Sequence, residues 1–207
     1  MSFIKNPVQI ITQRMVSSDQ RLNIEYPVIV GMVDTAVQHQ MNIAIRRLVN
    51  KIIIDQGYYQ NYQTSVEGWY EIKNNQRGIL SLNIINFAYT QGAAHGLTVI
   101  KSLTFDIQTG KVYTLGDLFK PGSDYVKVLS AIIRRQIKDR DIFLLDDFKD
   151  ISSDQDFYIA DKCLVIYYQL YELTAYAFGF PMFPISVYEI QDIIREDGPL
   201  GVMAVND

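Results

Sequence analysis

Few side chains in this sequence could do chemistry, and they are scattered. The chain has two histidines and one cysteine. His95 stands in Gly92-Ala93-Ala94-His95-Gly96, a small-residue loop in which glycine permits close backbone approach. An imidazole in such a loop could shuttle protons at the edge of a cleft. The alternative is architectural, with His95 bonding the neighbouring backbone, and it is preferred because a shuttle needs partners that the sequence does not display. No metal site is expected, since zinc wants three or four ligands, commonly close in sequence, whereas His39 and Cys163 lie far from His95. Cys163, in an apolar run, reads as a buried thiol. Glu172 could act as an acid or base, but one carboxylate without a second favours an ion pair or a cap. Trp69, on the wetter face of a strand, could stack on a sugar ring or lie under a helix. No nucleotide-binding, nucleophile-elbow or paired-cysteine motif is present, so no cofactor is expected.

Two further stretches could bind rather than react. Tyr167 to Phe183 carries seven aromatics, among them Tyr171 and Tyr176. Exposed, they could anchor a protein or stack on sugars; more of them are expected to pack into the core. Asp139 to Asp156 carries seven aspartates, including Asp146, Asp147 and Asp150. It lacks the regular ligand spacing and turn glycine of a calcium loop. A solvated acidic loop is the ordinary explanation, and a docking surface for a basic protein the sharper one.

The elements that must hold these residues follow from periodicity. Val8 to Val16 and Leu22 to Val30 read as strands. Gly31 opens a helix with Val33, Val37, Met41, Ala44, Leu48 and Ile52 on one face, and Gly57 stops it. Val66 to Lys73 alternates as a strand, Asn74 to Gly78 turns, and Ile79 to Tyr89 returns. Val99 to Phe105 follows, closed by the Ile107–Lys111 turn onto Val112-Tyr113. A helical turn at Leu115 to Phe119 precedes a helix capped by Ser123 and running through Arg140. Phe157 to Asp161 and Cys163 to Gln169 form a hairpin, then a strand at Phe183 to Val187 and a short helix at Tyr188 to Arg195. Blocks of strands and helices predict an α+β fold with mostly antiparallel pairing, one long helix in the N-terminal half and one or two helices in the C-terminal half.

Composition sets the outer limits. With 207 residues, 48% of them apolar, the chain can bury a core without disulfides or metal. A net charge of −4 and a pI near 5.2 argue against a nucleic-acid partner. No window approaches the roughly 18 apolar residues of a membrane span. The opening MSFIKNPVQIITQR has no apolar core or cleavage site of an export signal, which favours a cytoplasmic location.

Several ordered blocks resemble a bacterial family. Gly92-Ala93-Ala94-His95-Gly96, Leu103-Thr104-Phe105-Asp106, Thr109-Gly110-Lys111 and Leu115-Gly116-Asp117-Leu118-Phe119 are similar to a junction motif of poorly characterised domains. Tyr167-Tyr168-Gln169-Leu170-Tyr171-Glu172, Ala175-Tyr176-Ala177, Gly179-Phe180-Pro181 and Phe183 form a second signature. Together they resemble the two adjoining modules in the extracytoplasmic part of RsiV-like anti-sigma factors, one of which also accompanies the deacetylase domain of PdaC. The resemblance implies modules at 8–92 and 93–197 packed as one compact unit, and an extracytoplasmic setting. It implies a non-enzymatic binding module for a protein such as lysozyme, or for a cell-wall glycan such as a peptidoglycan fragment. A self-associating structural protein and a glycan-acting enzyme using His95 and Glu172 are the alternatives. The sigma-binding segment and the deacetylase domain have no counterpart here, so those two activities do not carry over.

Overall fold

The computed structural model describes residues 7–205; residues 1–6, part of the stretch read for an export signal, lie outside them. The chain divides into two compact units, Met1–Val112 and Tyr113–Asp207. The family resemblance implies a module junction at 92/93. The units divide later because β5 (Leu97–Asp106) pairs along its length with β4 (Ile79–Thr90), from Leu97 opposite Ala88 to Asp106 opposite Ile79. Among the described residues no helix is long and apolar enough to cross a membrane. The fold is α+β with mostly antiparallel sheets and, among the described residues, three α-helices, the longest in the N-terminal half.

The first unit is a five-stranded sheet in the order β1-β2-β3-β4-β5. β1 (Gln9–Val16) and β2 (Leu22–Val30) make a hairpin. β2 joins β3 (Thr64–Gln76) by a short parallel ladder, Leu22 to Ile24 beside Val66 to Gly68. The connection between them is α1 (Thr35–Asp55), which packs on the sheet. Asp34 caps it by accepting from the amides of Ala36 and Val37. The helix thus starts four residues past Gly31, and Val33 lies outside it, fully exposed. The buried stripe is Met41, Ile45, Val49, Ile52 and Ile53, rotated by about one position from the predicted face. Gly57 ends the helix at a φ of +81°, a conformation that glycine adopts without penalty.

β3 alternates as predicted as far as Tyr70. A bulge between Ile72 and Asn74 then shifts the register, exposing Ile72 and burying Asn74. The strand therefore runs on to Gln76, and Arg77-Gly78, both at positive φ, make a two-residue turn into β4. The predicted five-residue turn is in large part strand.

In the second unit, β6 (Phe157–Ala160), β7 (Cys163–Tyr167) and β8 (Met182–Ser186) form an antiparallel sheet. α2 (Tyr125–Asp139) fastens to β8, with Gln136 Nε2 donating to the Pro184 carbonyl at 2.8 Å. Its expected cap is absent: the Ser123 hydroxyl is buried without a hydrogen-bond partner among the described residues, and Asp124 at the cap position pairs with Lys127 instead. The predicted helix at Tyr188 to Arg195 is a series of turns. Its backbone is committed elsewhere, with Lys120 N–H donating to the Ile193 carbonyl and Arg195 N–H to that of Leu118. The last helix is α3 (Pro199–Ala204), opened by its proline.

Candidate functional site

The acidic segment leaves α2 at Arg140 and crosses the second unit held by several hydrogen bonds. Leu145 N–H donates to the Leu173 carbonyl at 3.1 Å. Ile151 N–H donates to Ser130 Oγ on α2 at 2.9 Å, and Gln155 Nε2 to the Tyr167 carbonyl at 3.0 Å. Along the segment Ile142 and Ile151 take buried positions, whereas Asp146, Asp147 and Asp150 are exposed. These three line a pocket of about 340 Å³, together with Lys149, Tyr168 and Glu172. Four carboxylates thus meet one ammonium there. Arg134, from α2, bonds the Lys149 carbonyl and reaches Asp150 at 3.5 Å.

Two groups from the next loop complete this pocket. Glu172 Oε2 accepts from Gln169 N–H at 2.7 Å, closing a local turn. Tyr168 is buried, and its hydroxyl has no hydrogen-bond partner among the described residues. Burial, and then the charge of Glu172, push its phenol far above the usual range, so it stays protonated and can donate. Beside the acidic groups lie large apolar side chains in water: Phe143 is 88% exposed and Leu145 51%. Tyr171 and Tyr176 are also exposed, with ring centroids 5.4 Å apart. Tyr171 sits at a φ of +66°, unusual for so large a side chain. The aromatic block therefore splits, with Tyr167, Tyr168 and Phe183 buried and Tyr171, Tyr176 and Phe178 exposed.

His95 belongs to the first unit, at the β4–β5 connection. Its Nδ1 lies 2.9 Å from the Gly96 carbonyl; since that oxygen can only accept, Nδ1 carries the proton. Gly96 must be glycine, because a Cβ there would fall 2.3 Å from the Phe87 ring. His95 stands at the edge of a groove of about 600 Å³ between the C-terminal half of α1 and the β4–β5 hairpin. Trp69 is 41% exposed, on the β3 face opposite to Val66 and Gly68.

The structure therefore gathers Asp146, Asp147, Asp150 and Glu172 around one pocket and brings Tyr171 to Tyr176. His95 and Glu172 lie in different units. Cys163 is half-buried, and burial pushes its thiol up, away from the reactive thiolate. Among the described residues no group of three or more His, Cys, Asp or Glu could hold a metal ion. Sequence reasoning missed Phe143 and Leu145, and met Tyr168 only as one of the aromatics of its block. The first two sit in the non-periodic acidic segment, and only a packed structure reveals that the Tyr168 hydroxyl lacks a partner.

Comparison with known proteins gives the fold company. The model of a family described as protein of unknown function, DUF3298, matches residues 116–188. The chain is 27% identical over 112 residues to the peptidoglycan-N-acetylmuramic acid deacetylase PdaC of Bacillus subtilis strain 168. That match takes in 51% of this chain and 24% of the deacetylase, so the chain spans about a quarter of the relative's length. A crystal structure of a DUF3298 family member from Bacteroides fragilis NCTC 9343 superposes with a TM-score of 0.69 at 14% identity, covering 97% of this chain and 96% of that one. A DUF3298 family protein from Pseudomonas aeruginosa PAO1 gives 0.68 at 13% identity, covering 91% and 94%. At these identities the likeness is one of fold.

Proposed function

We propose that this chain is a non-enzymatic binding module whose second unit docks a basic protein, with lysozyme as the partner to test first. The observation that carries this is the pocket lined by Asp146, Asp147, Asp150 and Glu172. A lysine or arginine side chain entering it meets carboxylates that can accept its N–H groups. Phe143 and Leu145 offer apolar contact beside the charges, and Tyr171 and Tyr176 offer aromatic contact on the loop that also bears Glu172. Such a mixture suits a protein surface. The resemblance to RsiV-like modules points to lysozyme within the class of basic partners.

The test compares lysozyme with cytochrome c, a basic protein of similar size, at matched ionic strength. Lysozyme is expected to bind tighter. Replacing Asp146, Asp147 and Asp150 together by Asn should slow its association about tenfold. Phe143→Ser should cost about 2 kcal/mol of binding, as loss of an aromatic anchor does. Equal affinity for the two basic proteins would remove lysozyme from the proposal and leave charge attraction alone.

A further inference from the structure

One end of the first unit, away from that docking surface in sequence, is built almost without charge. From Gln56 to Ser65, and again from Asn86 to Ile100, there is no Asp, Glu, Lys or Arg, in a chain that is 20% charged. The two stretches are tied together. Gln91 N–H donates to the Gln63 carbonyl at 3.1 Å. The Thr64 and Thr90 hydroxyls lie 2.8 Å apart. Gln56 Nε2 donates to the carbonyls of Asn86 at 3.2 Å and Leu97 at 3.1 Å. What this end presents to water is aromatic rings and carboxamides. Tyr59 is 65% exposed and Tyr62 80%. Gln60, Gln63 and Gln91 are exposed, and among the described residues their side chains have no hydrogen-bond partner.

The loop that carries the rings is braced from beneath. Buried Tyr58 meets Tyr59 edge to face, with ring centroids 5.0 Å apart. The Arg21 guanidinium lies 4.8 Å over the Tyr58 ring and donates to the Thr64 carbonyl at 2.8 Å. Asn61 Oδ1 accepts from Gln63 N–H at 2.9 Å, which fixes the turn around Tyr62. The groove of about 600 Å³ adjoins this surface, since Gln56, Thr90 and Ala93 line it. Its volume lies inside the range of roughly 300–1,000 Å³ typical of small-molecule sites. The charges along its walls are already matched within the protein: Lys51 holds Asp55 at 2.6 Å, and Lys101 is engaged.

Such a surface selects by exclusion. A charged ligand finds no unpaired opposite charge in it. A hydrocarbon chain would strip water from the carboxamides without replacing its hydrogen bonds. A sugar ring meets both demands. Its C–H face packs on a tyrosine ring, and its hydroxyls exchange hydrogen bonds with carboxamides, each of which can donate and accept. We propose that this end of the first unit binds a neutral oligosaccharide. Its sugar rings stack on Tyr59 and Tyr62, its hydroxyls bond the Gln63 and Gln91 side chains, and the sugar chain continues into the groove past Thr90 and Ala93.

Calorimetric titration of the full chain tests this with three neutral probes, maltotetraose, cellotetraose and N-acetylchitotetraose, and one charged probe, tetragalacturonic acid. Saturable binding of at least one neutral probe is expected, with tetragalacturonic acid at least about tenfold weaker, because its carboxylates find no partner. Tyr62→Ser should weaken the bound neutral probe about tenfold, as loss of an aromatic anchor does. Gln91→Ala should weaken it about fivefold, as for one or two lost hydrogen bonds. Both side chains stand in water, so the urea midpoint of each variant should match the parent, which separates a lost contact from a lost fold. No saturable binding of any neutral probe up to about 1 mM overturns the proposal. So does equal affinity for tetragalacturonic acid, or unchanged affinity in both variants.

Discussion

At the scale of single residues, Asp19 shows how much one exposed carboxylate can organise. It accepts from the Ser17 hydroxyl at 2.6 Å and from the Arg21 backbone and guanidinium at 3.2 and 2.7 Å, all within the β1–β2 turn. The Ser17 bond first, and then Arg21, hold its carboxyl at about 2, below the ordinary 3.8. A depressed folded value means that the stabilisation is complete above the ordinary carboxyl range and is lost as pH falls toward 2. Urea melts of the parent and Asp19→Asn should therefore differ most at about pH 5 and converge toward about pH 2. A gap that stays constant over that window would mean that Asp19 contributes through shape alone. Such a cluster is partly legible beforehand, since Ser-Ser-Asp-Gln between two apolar runs reads as a turn. The missing cap of α2 was not legible, because whether the Ser123 hydroxyl turns toward a free amide is settled by packing and not by local sequence.

At the scale of elements, the weakest seam in the first sheet is the β2–β3 ladder, three residue pairs long and parallel. Gly68 lies at its end, beneath Ile24 and Asn86. A Cβ there would come within 2.4 Å of Asn86 Oδ1 and 2.7 Å of Ile24 Cδ1. Both neighbours are fully buried and have little room to yield. Gly68→Ala should cost about 1–3 kcal/mol through overpacking, read as a lower urea midpoint with an unchanged slope. The strands were visible in the sequence because their alternation is local. The bulge at Ile72 to Asn74 was not, since a register shift is a property of the pair β3–β4. The same reason explains the helix expected at Tyr188 to Arg195: its apolar spacing suits a helix, but its backbone groups bond to Leu118 and Lys120.

At the scale of the molecule, net charge and site point the same way. The chain carries −4 overall, and its acidic pocket lies in the second unit. A basic partner is drawn by both, so its association rate should fall as salt shortens the Debye length from about 10 Å at 0.1 M to about 3 Å at 1 M. The variant with Asn at 146, 147 and 150 should show a shallower salt dependence in stopped-flow measurements, while dissociation changes little. An unchanged slope would assign the steering to the remaining surface. Charge of this kind is read directly from composition. The convergence of Asp146, Asp147 and Asp150 with Glu172 was not, because it depends on long-range bonds between the two loops, from Leu145 to Leu173, from Gln155 to Tyr167 and from Gln169 to Asp156.

The positive φ of Tyr171 has a bearing on recognition. An unfolded chain seldom holds a tyrosine in that left-handed region, at a cost of about 1–2 kcal/mol. The Gln169–Glu172 turn holds it there in the free protein. The ordering of this loop is thereby completed during folding, before any partner arrives. Docking at Tyr171 is preorganised, and less rotational freedom remains to be lost on contact.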